Sequence, residues 1–155
     1  MRRYLVVANQ TLGGRNLRRA IRRRLRNGPC HFHVVVPITS AAGPFDAAIA
    51  AYEGDVPCDE ASLAEARARL EFEIEWLRAA GADVDGEIAD PDPIKAVDAV
   101  LARRPFDEII LSTLPAGISR WVSADLPQRL ARHVTVPVVT ILGPPAAHRR
   151  SGSTG

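Results

Sequence analysis

Short runs of β-branched and other apolar residues alternate along the chain with longer segments of helical periodicity. Five of these runs are predicted to be strands, at residues 4–8, 31–37, 83–89, 108–112 and 138–142. Parallel strands joined by crossover helices produce this alternation. The second, fourth and fifth runs are nearly continuous in Val and Ile, which is typical of strands covered on both faces. The pattern predicts an α/β domain with a five-stranded parallel sheet and helices on both faces.

The intervening segments carry apolar residues at helical spacing. Leu17, Ile21 and Leu25 mark the first helix, which Gly28 ends. Asp92 and Pro93 begin the third helix, because aspartate caps a helix and proline suits its first position. The other two helices contain Leu63, Leu70, Ile74 and Leu77, and Leu126 and Leu130, and the last of them runs from Ser119 or Ser123 to His133.

The size and composition of the chain fit one domain. Of its 155 residues 46% are hydrophobic, which is enough for one core and too few for two ordinary domains. We assign residues 1–145 to this domain and predict that residues 146–155, which lack an apolar pattern, form a disordered tail. The sequence contains no apolar stretch of membrane-spanning length, no signal-peptide core and no CxxC pair. These features predict a cytoplasmic protein.

The charges nearly cancel, with 20 basic and 18 acidic residues, and give no case for a nucleic acid or a membrane as partner. Their distribution is uneven, because the first 27 residues contain nine arginines and no acid. The first helix places these arginines in two rows opposite its apolar stripe, Arg15, Arg19 and Arg23, and Arg18, Arg22 and Arg26. It lacks the stacking aromatics and groove-reading motifs of nucleic-acid binders, so a solvated surface or a contact with an acidic partner is favoured.

Neither a catalytic centre nor a metal site is predicted. The sequence contains no nucleophile elbow, P-loop, GxGxxG turn or HExxH helix, and we therefore expect no enzymatic activity. His31 and His33 lie on one side of the second strand next to Cys30. No second cluster in the sequence supplies the remaining ligands, and packing is the favoured role for these histidines.

Ligands of parallel α/β sheets bind at the carboxyl ends of the strands, where the winding reverses. In this chain those ends are residues 9–14, 37–40 and 112–123, and the last of these segments is polar and rich in turns. Any binding site is expected in these three segments.

The same segments belong to a resemblance that covers residues 3–142. The segment FDEIILSTLPAGISRWVSADLPQRLARHVTVPVVTI resembles the closing unit of the universal stress protein family, which has a strand, a glycine-rich loop, a helix ending in basic residues and a Pro-led final strand. GEIADPDPIKAV is similar to the third strand and the following helix start of that family. The resemblance implies a stress-response protein with a Rossmann-like sheet of the adenine-nucleotide alpha-hydrolase-like type, in the strand order 3-2-1-4-5.

The glycines that bind ATP in this family are replaced here. ATP-binding members have G-x-x-G, nine residues, and then G-S or G-T, because glycines let backbone amides approach the phosphates. The matching positions hold Leu111, Leu114, Ala124 and Asp125, and the acid that ends the first strand in many members is Asn9. A carboxylate repels a triphosphate, so weak or absent ATP binding is expected.

The remodelled loop still offers hydroxyls and a guanidinium that suit an anion. The candidate pocket consists of residues from all three strand ends, namely Ala8, Asn9, Gln10, Val36, Pro37, Ser112, Thr113, Gly117, Ser119, Arg120, Ser123 and Asp125. The sequence identifies no definite cofactor, and binding of ATP or another nucleotide is disfavoured.

The last strand presents an apolar edge that proteins seldom leave open. The family resembled here commonly pairs through this strand, and the resemblance implies a homodimer edge formed by Val136, Val138, Val139, Thr140 and Ile141. The sequence therefore predicts a non-catalytic, dimeric universal-stress-like protein. Two alternatives are a regulator that binds a nucleotide or small anion through residues 112–123, and a protein-interaction module that uses the arginine-rich helix.

Overall fold

Five parallel strands form a sheet in the order β3-β2-β1-β4-β5. The computed structural model describes residues 1–8, 11–38, 60–90, 92–113 and 126–143, apart from the side chains at 61 and 62. The strands are β1 Arg2–Val7, β2 Cys30–Pro37, β3 Asp83–Ala89, β4 Glu108–Thr113 and β5 Val138–Leu142. The helices of the described residues are α1 Arg15–Arg26, α2 Glu60–Ala79, α3 Pro93–Leu101 and α4 Leu126–His133. The predicted fold class and strand order are confirmed.

Alternate residues of the central strand supply two separate cores. In β1, Tyr4 and Val6 face the layer of α1 and α2, whereas Leu5 and Val7 face the layer of α3 and α4. Burying an apolar side chain of this size contributes about 1.5–3 kcal/mol, so both faces of the sheet stabilise the domain. The two cores give the molecule three layers, helix on sheet on helix.

The edge strand β3 comes very close to the neighbouring backbone and to α2 at one glycine. A Cβ atom on Gly86 would lie 2.7 Å from the carbonyl oxygen of Val34 and 2.8 Å from Cδ1 of Leu70. Both distances are shorter than ordinary van der Waals contacts, so glycine at this position allows the helix to pack directly on the sheet.

A glycine turn leads into α1, and the start of α3 has the predicted cap. Gly13 has a φ of 82°, and the N–H of Gly14 donates to the carbonyl of Thr11 at 2.9 Å, which closes the turn after β1. The Asp92 side chain accepts a 3.0 Å hydrogen bond from the N–H of Ile94, with Pro93 in the first helical position. The predicted beginning of the third helix is confirmed.

Strand β5 is less covered than its sequence indicates. The expectation that it is buried on both faces is wrong, because Val139 is 38% exposed and Leu142 is 51% exposed. It lies at the edge of the sheet beside β4. Two predicted features lie outside the described residues, namely the start of the fourth helix at Ser119 or Ser123 and the tail at 146–155.

Candidate functional site

The sheet order reverses between β1 and β4, and two buried hydroxyls lie at the carboxyl end of this pair. Oγ of Ser112 donates a 2.7 Å hydrogen bond to Oγ1 of Thr11, 101 residues away in the chain. Both side chains are about 2% exposed or less. The bond satisfies the Ser112 proton, and the hydroxyl oxygens keep acceptor capacity. This crevice is the position at which open α/β sheets bind ligands.

The neighbouring strand ends complete the described part of this crevice. Ala8 follows β1 and is fully buried, and its N–H donates to the carbonyl of Val35 at 3.2 Å. Val36 and Pro37 end β2 and are buried, and the carbonyl of Thr113 accepts from Gly143 at 3.1 Å. The structure therefore brings five of the predicted pocket residues to one edge of the sheet, Ala8, Val36, Pro37, Ser112 and Thr113.

The other predicted pocket residues lie outside the described residues, and they are Asn9, Gln10, Gly117, Ser119, Arg120, Ser123 and Asp125. Leu111, which aligns with the first glycine of the family motif, is described. It is fully buried in β4 and packs in the core of the α3 and α4 layer. This position therefore supplies a core side chain and offers no open backbone for a phosphate.

Two polar residues at this edge were not among the candidate pocket residues, although Thr11 lies in the predicted segment 9–14. The Thr11 hydroxyl accepts the hydrogen bond from Ser112. Nδ2 of Asn16 donates to the carbonyl of Leu142 at 2.8 Å, which connects the start of α1 to the end of β5. Thr11 could have been found from its place in the turn after the first strand. Asn16 has no comparable local signal, because its partner is 126 residues away.

An ion pair lies beneath the glycine turn at the start of α1. NH2 of Arg18 lies 3.0 Å from Oε2 of Glu73, which is 1% exposed. A Cβ on Gly13 would be 3.5 Å from that carboxylate and 3.6 Å from the guanidinium. The positive charge nearest this turn among the described residues is therefore already neutralised by a carboxylate, which limits what it offers to an anion.

The arginine rows of α1 differ in their surroundings. Arg18 is only partly exposed, and its guanidinium carbon lies 4.3 Å from the centroid of the Trp76 ring on α2. Arg22 is exposed, with its guanidinium carbon 5.0 Å from the same centroid. The other residues of the two rows, Arg15, Arg19, Arg23 and Arg26, are exposed, as predicted. The alternative of an interaction through this helix stays a prediction.

His31 and His33 contact carboxylates that the sequence did not connect with them. Oδ1 of Asp85 lies 3.0 Å from Nε2 of His31 and 2.7 Å from Nδ1 of His33. The premise that no further ligand lies near these histidines is wrong, because β3 runs beside β2 and its acidic residues are in register with them. Cys30 lies in the opposite core, where burial raises the pKa of its thiol above the ordinary value although Arg24 lowers it.

The carboxylates of Asp85 and Glu87, beside His33, are held in their charged form. Burial raises the pKa of Asp85, but hydrogen bonds from His33 and Arg104 and their positive charge outweigh it and lower that pKa to about 2. Burial also raises the pKa of Glu87, and His33 and Arg103 outweigh it in the same way, so the net shift is downward. Both carboxylates are therefore ionised near neutral pH.

The comparisons with known proteins give matches among solved structures. A universal stress protein from Archaeoglobus fulgidus is 15% identical over 91% of this chain and 93% of its own, with a TM-score of 0.56. A universal stress family protein from Arabidopsis thaliana with AMP bound is 15% identical over 93% of each chain, with a TM-score of 0.58. A universal stress protein in complex with cAMP is 16% identical over 92% of this chain and 98% of its own, with a TM-score of 0.53.

The chain has the fold of the universal stress proteins. No protein-family model and no curated protein matches it. The likeness to these structures, at 15–16% identity, concerns the fold alone. No helix in the described ranges is both long enough and apolar enough to cross a membrane.

Proposed function

We propose that this chain is a divergent, non-catalytic universal stress protein that forms a homodimer through β5 and binds ATP weakly or not at all. The exposed apolar edge of β5 carries this proposal. Val139 and Leu142 are among the large hydrophobic side chains that the described part of the chain leaves exposed. They lie on the edge strand of a sheet whose central strands are buried along most of their length.

An open sheet edge with apolar side chains favours pairing with another copy of the same edge. The unpaired N–H and C=O groups of an edge strand form a template for association, which monomeric proteins prevent with charge, proline or a covering segment. Residues 138–142 contain no charge and no proline. An isologous contact brings the same patch of two subunits together and produces a closed dimer.

Replacing Val139 with lysine tests the dimer. A charge at this position opposes burial of the edge, so V139K is expected to elute and scatter light as a monomer at concentrations where the wild type is a dimer. F72K is the matched control, because Phe72 is also exposed but lies on α2. A wild-type monomer, or an unchanged dimer in V139K, would contradict the proposal.

The expected low affinity for ATP follows from the residues that replace the family's phosphate-binding motif and from the pairing of Arg18. The three phosphate-binding glycines of the family correspond to Leu111, Leu114 and Ala124, and its following hydroxyl position is Asp125. Leu111 is a core residue. The Arg18 guanidinium below the glycine turn is paired with Glu73. The absence of a recognised nucleophile or base motif in the sequence supports a non-catalytic role, and we expect no hydrolysis of ATP by the purified protein.

The second candidate is a regulator that binds a smaller nucleotide or anion in the same crevice. Solved proteins of this fold are described with AMP, dAMP and cAMP, and the Thr11 and Ser112 hydroxyls lie buried at the strand ends where such ligands bind in this class of sheet. The hydroxyls and guanidinium of residues 112–123 would supply further donors.

Thermal melting with added ligands distinguishes the two candidates. A ligand that binds only the folded protein raises its melting temperature. Under the first candidate, millimolar ATP, AMP, cAMP and phosphate leave this temperature unchanged. Under the second, AMP or cAMP raises it, and the triple variant S112A/T113A/R120A abolishes the shift whereas T135A, an exposed site before β5, retains it. A shift with ATP would contradict the expected loss of ATP binding.

A further inference from the structure

Five polar side chains form a continuous array on the α3 and α4 face of the sheet, across β2 and β3. The parallel register pairs His31 with Asp83 and His33 with Asp85, and the two-residue period of a strand places Glu87 on the same face. Imidazoles and carboxylates then alternate in the order Asp83, His31, Asp85, His33, Glu87. The four contacts along this array measure 3.0, 3.0, 2.7 and 2.9 Å.

Three donor atoms converge at the centre of the array. One ligand atom from each of His31, His33 and Asp85 lies within 4.8 Å of the other two. Oδ1 of Asp85 lies 3.0 Å from Nε2 of His31 and 2.7 Å from Nδ1 of His33. Zinc is bound by imidazole nitrogen and carboxylate oxygen at about 2.0–2.2 Å, which places neighbouring donors about 3–3.5 Å apart. The 3.0 and 2.7 Å separations of Oδ1 of Asp85 from the two imidazole nitrogens would therefore lengthen by less than about 1 Å to accommodate an ion.

The contacts with Asp83 and Glu87, at the two ends of the array, hold each imidazole in the orientation that a metal ligand needs. The other nitrogen of His31, Nδ1, lies 3.0 Å from Oδ2 of Asp83, and the other nitrogen of His33, Nε2, lies 2.9 Å from Oε1 of Glu87. A histidine that binds a metal characteristically donates its remaining N–H to such a carboxylate, which directs the lone pair of the opposite nitrogen to the ion. Both histidines have this arrangement.

The third ligand is oriented in the same way. NH1 of Arg104 donates to Oδ2 of Asp85 at 2.9 Å, which leaves Oδ1 directed toward the two imidazoles. The three carboxylates and the two arginines that bond to them, Arg103 and Arg104, leave one net negative charge when the imidazoles are neutral. A divalent cation is therefore not opposed by the charge of the array.

The position of the array allows access from solvent and separates it from the crevice. The side chain of His33 is 4% exposed, whereas that of Asp85 is 41% exposed, so one side of the donor set is open. His31 and His33 precede Pro37 by six and four residues, which is about 13 to 20 Å along the strand. The array is thus distinct from the site at the carboxyl ends of the strands.

We propose that His31, His33 and Asp85 bind a divalent transition-metal ion of the zinc type, with Asp83 and Glu87 as the outer carboxylates. Three protein ligands leave a coordination position for water, and imidazole with carboxylate suits zinc and its first-row neighbours. His133 contacts a carboxylate of Asp98 at 2.8 Å, with no second imidazole beside it among the described residues, so it provides a comparison.

Titration of the untagged full chain with Zn²⁺ against a chromophoric chelator tests the proposal, after prior removal of metal. The wild type is expected to bind one Zn²⁺ per chain, and D83N, which changes an outer carboxylate, is expected to lower the affinity about 10- to 100-fold. H31Q and D85N should lower it further, and H133Q should leave it unchanged. Neither H31Q nor D85N changes the fully buried His33, and circular dichroism checks their folding.

Cobalt supplies an independent spectroscopic measurement. Co²⁺ bound in the wild type should give the visible absorption of a low-coordinate site, which H31Q removes and H133Q retains. The absence of saturable Zn²⁺ binding, or equal affinities of H31Q and H133Q, would overturn the proposal. It would also be overturned by binding that survives H31Q and is lost in C58S or H148Q, because the ion would then be held elsewhere in the chain.

Discussion

At the scale of single residues, Asp85 has three polar side-chain partners. It contacts His31, His33 and Arg104. Burial raises the pKa of Asp85, but the hydrogen bonds and positive charge of His33 and Arg104 outweigh that effect and lower it from the ordinary 3.8 to about 2. Because the folded-state pKa lies below the unfolded value, the charged carboxylate contributes stability above about pH 4. This contribution is lost as the pH falls toward 2.

The pH dependence of stability therefore reports on Asp85. With a chelator present, the free energy of unfolding of the wild type is expected to fall more steeply between pH 4 and pH 2 than that of D85N, measured by urea denaturation at each pH. R104Q removes one of the donors and should give an intermediate slope. Equal slopes for the wild type and D85N would show that the Asp85 carboxylate has the same pKa in the folded and unfolded chain.

The sequence indicated that His31 and His33 lie on one side of a strand, but not that the acidic residues of β3 contact them. The two histidines and the acidic residues of DVDGE each follow the two-residue period of a strand, and that period was visible. Their contact depends on the register of β2 against β3, because a shift of one residue would place the acidic side chains on the opposite face. Register is fixed by packing of the whole sheet, and no local pattern specifies it.

At the scale of elements, the start of α3 was predictable because its signal is local. Asp92 accepts a hydrogen bond from the N–H of Ile94 and Pro93 has no N–H to satisfy, so two residues decide where the helix begins. The edge strand β5 is the contrasting case. Its run of Val, Thr, Ile and Leu indicates a strand, but its exposure depends on its position at the edge of the sheet.

Removal of the α3 cap should destabilise the protein measurably. D92A leaves the N–H of Ile94 without this acceptor and is expected to lower the free energy of unfolding by about 1 kcal/mol. D92S, which keeps a capping hydroxyl, should lie close to the wild type. Urea denaturation of the three proteins checks the order, and an unchanged D92A would show that solvent replaces the cap without cost.

At the scale of the whole molecule, a buried ion pair joins two helices that are far apart in the chain. Arg18 of α1 and Glu73 of α2 are 55 residues apart, and the guanidinium also lies over Trp76. Oε1 of Glu73 and Nε of Arg18 are buried and have no hydrogen-bond partner among the described residues. The carboxylate therefore depends strongly on the one bond that it accepts from Arg18.

Replacing Arg18 alone should lower the free energy of unfolding much more than replacing both Arg18 and Glu73. R18M leaves the Glu73 charge buried without a partner and is expected to lower the free energy of unfolding by about 3 kcal/mol. The double variant R18M/E73L should recover most of that loss, because no uncompensated charge remains. R19M, at an exposed position of the same helix, should change stability by less than about 0.5 kcal/mol. A double variant no more stable than R18M would exclude charge burial as the cause.

The sequence by itself determined the strands, most helix positions and the loss of the phosphate-binding glycines, and its resemblance to the universal stress proteins implied the sheet order. The strands and helices were predictable because their signals come from residues close together in the chain. The tertiary structure alone decided which distant polar groups meet, namely Ser112 with Thr11, Arg18 with Glu73, and the histidines of β2 with the carboxylates of β3. Such contacts join residues 52 to 101 positions apart and require sheet register and helix packing to be fixed first.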